Sequence, residues 1–171
     1  MLRGALSVAA LAACLPAQSV IPAKAGLISY SDEAYVDGRL VETASTRFFV
    51  INENSVLRNA SGHTEVLLGP CSAMWVDEQS SLRIASSVLS DVRVELLSGS
   101  VVIATGDMIK GSKLTVLVKT ASATAEPRGA YRFDADPPRV KALAGKITVE
   151  GNRAISLTAG RLRRSGERDL L

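Results

Sequence analysis

The chain has 171 residues and a net charge of +3, enough for one domain with a sizeable core. Valine, isoleucine, leucine and alanine are abundant and aromatics make up 4%, so the core is expected to be aliphatic. One histidine and two cysteines leave little for acid–base, nucleophilic or zinc chemistry.

At the N-terminus, Arg3 precedes an uncharged run from Gly4 to Leu15, the length of a signal-peptide core and too short to span a bilayer. Ala23-Lys24-Ala25 and Ala17-Gln18-Ser19 are alternative cleavage sites. Leu11-Ala12-Ala13-Cys14 is a lipobox-like alternative that would lipidate Cys14. Residues 1–25 are read as a signal peptide, and either route gives an exported protein. Cys71 is then the one thiol of a soluble mature chain, and its neighbours Pro70, Ser72, Ala73 and Met74 suit a small buried hydrophobe.

Residues 26–160 read as one β domain. Asp37-Gly38 between short apolar runs predicts a hairpin, and Arg47–Ile51 a further strand. Glu53–Ser61 matches Glu78–Ser86 at six of nine places with an offset of 25, and Glu126–Phe133 is a weaker third copy. Each copy leads into an alternating run and a glycine: Gly69, Gly99 and Gly145. A second match aligns Arg93–Ile103 with Arg139–Val149 without a gap, so Gly99 and Gly145 should be equivalent and conformationally special. Each of these two runs reads as strand, tight turn, strand. Lys113–Lys119 and Ala154–Thr158 add strands, and Asp136-Pro137-Pro138 excludes a helix.

The expected fold is all-β, with about ten to thirteen short strands in two packed sheets. It should be a solenoid-like or jelly-roll-like sandwich built from about three repeats, with helix in the signal segment alone. The arginines at 161, 163, 164 and 168 make the tail 161–171 basic. No aromatic or glycine-rich pattern accompanies them, so a solvated terminus is expected and no nucleic-acid site.

Three pieces in order resemble the FecR-like periplasmic domain of iron-dicitrate sensor proteins. They are Val94–Val102, Arg128-Gly129-Ala130-Tyr131-Arg132-Phe133 and Val140–Val149; a closing Leu157-Thr158-Ala159-Gly160 fits too. The resemblance covers roughly residues 50 to 162. It implies facing sheets of short strands, a periplasmic location and protein–protein signalling across the envelope. The chain lacks that family's cytoplasmic helical segment and membrane span, which sets anti-sigma activity apart from the fold.

No catalytic, cofactor or metal residues are assigned. His63 lies in a polar turn without a nucleophile motif, and Asp134 and Asp136 read as turn residues ahead of Pro137-Pro138 rather than calcium ligands. Arg58, Arg83 and Arg132 recur in the repeat. They are read as structural, paired with Glu53, Glu78 or Glu126, rather than as a ladder for an anionic glycan. Trp75 is placed in the core or at its rim. The expected function is a non-enzymatic envelope module with a protein partner, touching the membrane only through lipidated Cys14; the alternative is a glycan-binding or glycan-processing domain. The last strands, Lys146–Val149 and Ile155–Thr158, are the candidate contact, because a terminal repeat has no neighbour to cover it.

Overall fold

A computed structural model describes residues 24–42, 48–151 and 155–159. Cys14, the lipobox-like and Ala17–Ser19 motifs, Arg47, Ala154 and the basic tail lie outside them. Among the described residues there are fourteen strands and no helix.

The chain opens with β1 (Leu27–Val36) and β2 (Arg39–Leu40), joined by Asp37 and Gly38 at φ 49° and 79°. Two positive φ values in a two-residue loop are what a twisted hairpin needs, and Asp-Gly supplies them. Next come β3 (Phe49–Val50), the long β4 (Val56–Gly69), β5 (Ser72–Val76), β6 (Ser80–Ser86), β7 (Asp91–Ser98) and β8 (Ser100–Thr105). The rest are β9 (Lys113–Val118), β10 (Ala121–Ala125), β11 (Gly129–Ala135), β12 (Pro138–Ala144), β13 (Lys146–Glu150) and β14 (Ile155–Thr158).

All are joined in one sheet, ordered β12-β11-β8-β5-β4-β6-β7-β9-β10-β13-β14, with β1 along the other side of β4 and β2 and β3 on β1. Pairing is antiparallel except between β7 and β9. The sheet curls until β11 packs over β7 and β9, so it is nearly a barrel. The expected two layers are therefore halves of one continuous sheet.

Three glycines make the corners. β4 pairs with β6 through Val56–Asn59 and with β5 from Thr64 onward, and Gly62 at φ 64° stands between the two halves. β7 and β8 flank Gly99 (φ 75°) but belong to different layers; β12 and β13 do the same around Gly145 (φ 74°). The expected equivalence of Gly99 and Gly145 holds. The tight strand–turn–strand does not: the chain crosses between layers there, because a positive-φ residue turns the strand axis without reversing it. In the first copy this place belongs to Gly62. Gly69 lacks a positive φ and simply ends β4.

The recurring arginines mark a second equivalence. Asn54, Gln79 and Arg128, each four residues before Arg58, Arg83 and Arg132, have φ of 66°, 52° and 58°. The chain enters β4, β6 and β11 through the same left-handed residue, which is the physical content of the Glu–Arg repeat.

Strict alternation buries one side chain in two along β5, β6, β8, β9, β10 and β11. The core is aliphatic, with Ile28, Leu57, Met74, Ile84 and Ile103 buried, and two aromatics, Tyr131 and Phe133. The Tyr131 hydroxyl sits 2.7 Å from Lys146 O and 3.0 Å from Glu126 O, tying β11 to the start of β13. Burial raises its pKa. That hydroxyl occupies the space a Cβ on Gly129 would need, which explains glycine two residues before the tyrosine.

Candidate functional site

The sheet ends in two strands, and their sequences differ. Among the described residues β12 pairs with β11 alone and β14 with β13 alone. β12 begins with Pro138 and exposes Arg139 and Lys141, the residue types that block pairing with another chain. β14 exposes Ser156 and Thr158 and carries no charge.

Its hydrogen-bonding phase follows from one bond. Ala159 N–H donates to Gly145 O at 3.0 Å, which makes 159 and 145 a bonded pair. Bonded pairs alternate along an antiparallel ladder. With Leu157 opposite Ile147 and Ser156 opposite Thr148, Leu157 bonds inward, while Ser156 and Thr158 turn their N–H and C=O toward the open side. Leu157 packs on the core and anchors the strand. The candidate strand Ile155–Thr158 thus lies at an edge. Lys146–Val149 does not: β13 is paired on both sides, by β10 and β14, which corrects the expectation that both terminal strands are uncovered.

The outer face of the other layer carries a row Tyr30, Glu65, Trp75, Val102, Arg132 and Lys141, opposite one another across six strands. Trp75 is half-buried on this face, between inward Met74 and Val76. Arg132 bonds Asp134 at 2.9 Å and Asp77 at 3.0 Å, and Ser100 donates to Asp134 at 2.6 Å. Arg83 pairs with Glu95 at 3.3 Å. These arginines are indeed paired, but not to the repeat's own glutamates. Glu53 instead accepts from Ser87 N–H and Oγ, and Glu126 pairs with Lys146. Arg83 takes its cross-strand partner Glu95, and Arg132 takes Asp134 two places along its own strand, both nearer than a glutamate five or six positions away. Asp136 is in the β11–β12 turn, away from the Arg132–Asp134 cluster's hydrogen bonds.

His63 has neighbours the sequence did not show. Its Nδ1 lies 3.2 Å from Asp32 Oδ2, its ring stacks on Tyr30 with centroids 4.8 Å apart, and Tyr30 donates to Asp32 Oδ1 at 2.5 Å. The Tyr30 hydroxyl and the His63 main-chain N–H hold the Asp32 carboxyl below its ordinary pKa. Asp32 is thereby committed to the bend at Gly62. Among the described residues no group of three His, Cys, Asp or Glu is placed to hold a metal.

Cys71 is exposed, not buried. It sits in the reversal between β4 and β5, where its carbonyl accepts from Gly106 N–H at 2.6 Å. A turn leaves its side chain outside the alternation that buries its neighbours.

No family model matches the chain, and no curated protein matches it. Two crystal structures of a candidate anti-sigma factor from Parabacteroides distasonis ATCC 8503 are similar, at 16% and 15% identity and a TM-score of 0.49 each. The likeness covers 60% of this chain and 49% and 50% of theirs, so the chain spans about half the length of those proteins.

Proposed function

We propose that the chain is an exported, non-enzymatic module of the bacterial cell envelope that binds a protein partner by strand addition along β14. The observation that carries this is the contrast between the sheet's two ends. One is guarded by Pro138, Arg139 and Lys141; the other offers the outward backbone of Ser156 and Thr158 with no charge. An added strand gains main-chain hydrogen bonds, and side-chain pockets select its sequence. The FecR-like order of motifs supports the envelope setting, and envelope signalling is the finer form of the proposal.

Glycan binding is the second reading, favoured by Trp75 on an outer face beside Glu65. The two are separated by comparing the full chain with Ser156→Pro and Trp75→Ala. Proline removes one outward N–H and leaves the β13 ladder intact. Capture of a specific envelope protein that is lost in Ser156→Pro and kept in Trp75→Ala supports strand addition. Retention or release of peptidoglycan fragments that depends on Trp75 overturns it.

A further inference from the structure

One end of the molecule combines exposed apolar tips with unpaired lysines. Here β8 leads to β9 through residues 106–112, and β6 to β7 through residues 87–90. Lys113 N–H donates to Ser90 O at 2.9 Å, which joins the two loops, and Asp91 N–H donates to Val88 O at 2.8 Å, which closes the turn carrying Val88. Leu89 and Met108 turn inward against the core. Val88 and Ile109 turn outward and are 54% and 60% exposed, the two highest values among the exposed large hydrophobics of the described residues. Both stand in the loops between strands, beside the inward Leu89 and Met108.

Lys110 and Lys113 are exposed beside Ile109. Three acids lie nearby: Asp91 is paired with Arg93 at 2.7 Å, Asp107 with Arg128 at 2.6 Å, and Glu53 accepts from Ser87 N–H and Oγ. No ion pair of the described residues uses Lys110 or Lys113, so their charge is free to act outward.

We propose that this end docks on an anionic lipid surface, with Val88 and Ile109 entering the headgroup boundary and Lys110 and Lys113 facing lipid phosphates. Apolar tips ringed by lysines match the chemistry of that interface, where the hydrocarbon lies beneath a negative layer. A protein surface would need complementary acids and a shaped apolar pocket; a lipid surface needs only area and charge. The docking orients the domain: the Lys119-Thr120 turn, at the far end of β9, points away from the membrane.

The test uses the mature chain, residues 26–171, with Cys71→Ser, labelled with a fluorophore at Ile109→Cys or, separately, at Thr120→Cys. The probe is a phosphatidylcholine vesicle with or without phosphatidylglycerol, carrying a nitroxide lipid. The proposal expects quenching at position 109 and none at 120 on anionic vesicles. K110Q with K113Q should lower partition into anionic vesicles about tenfold or more, since each lysine near such a surface contributes on the order of 1 kcal/mol. Absence of binding, or a bound chain whose position-109 label stays open to an aqueous quencher, overturns it. So does a label shielded from water but unreached by lipid nitroxide, which would mark a second copy of the chain or another protein at this end. None of these outcomes bears on β14.

Discussion

Asp32 Oδ2 accepts the main-chain N–H of His63 at 2.9 Å, across the bend that Gly62 puts into β4. A Cβ on Gly62 would collide with that carboxylate. The bend is therefore set from both sides, by a left-handed glycine in β4 and by a carboxylate on β1. Asp32→Ala should loosen the bend and lower the melting temperature, while Tyr30→Phe, which removes one exposed donor, should do less. Equal melting of Asp32→Ala and the parent would contradict the clamp.

Acid should weaken the same clamp. Asp32, Asp37 and Glu53 all have depressed pKa values, held down by Tyr30, by Val56 N–H and by Ser87 N–H respectively. A carboxyl depressed on folding contributes stability above its unfolded pKa and loses it as pH falls through the folded value. Denaturant midpoints should thus hold steady at neutral pH and drop once pH falls below about 4. The triple variant D32N/D37N/E53Q should start lower and show a flatter acid limb. An unchanged slope in the variant would show that other groups govern acid unfolding.

The corner glycines should be intolerant. At Gly99 a Cβ would lie 2.6 Å from Ser80 Cα, and at Gly145 2.9 Å from Gly129 Cα. Gly99→Ala and Gly145→Ala should each cost at least about 1–3 kcal/mol, the scale of a residue forced into an unfavourable conformation. Gly69→Ala, where the nearest atom to a Cβ would be Leu89 Cδ2 at 3.9 Å, should change little. Chemical denaturation of the three variants settles the comparison.

The left-handed entry residues make the opposite prediction. Gln79 has φ 52° without being glycine, a conformation costing roughly 1–2 kcal/mol for most side chains. Gln79→Gly should leave stability unchanged or raise it by up to about 1 kcal/mol, since glycine's extra freedom in the unfolded chain offsets part of the relief. Gln79→Val should lower it. A destabilised glycine variant would mean that Gln79 is held there by contacts of its side chain.

Much of this was legible in the sequence, and the reasons differ by element. Alternation and Asp-Gly announced the strands and the first hairpin, because period two and positive φ leave residue-level marks. The Glu–Arg repeat and the Gly99–Gly145 match announced backbone equivalences, and both exist. What they could not show was direction. A positive-φ glycine between two alternating runs serves a hairpin or a corner equally well, and only the pairing partners of β7 and β8 tell them apart. The partners of Arg83 and Arg132 were hidden for the same reason, since register decides them. Asp32 and His63 are 31 positions apart and share no motif. The apolar neighbours of Cys71 suggest burial, whereas Gly69-Pro70 ahead of it is the turn signal that decides its exposure. At the edges, Pro138, Arg139 and Lys141 against Ser156 and Thr158 were readable as residue types, but the position of β13 inside the sheet was not.

The most direct measurement of the central claim is site-specific photocrosslinking in the native envelope, with the probe at Thr158 on β14 or at Lys141 on β12. Strand addition along β14 predicts one protein adduct from Thr158, lost when Ser156 is also proline, and none from Lys141. Adducts of equal yield from both positions, or an adduct from Thr158 that survives Ser156→Pro, would contradict it.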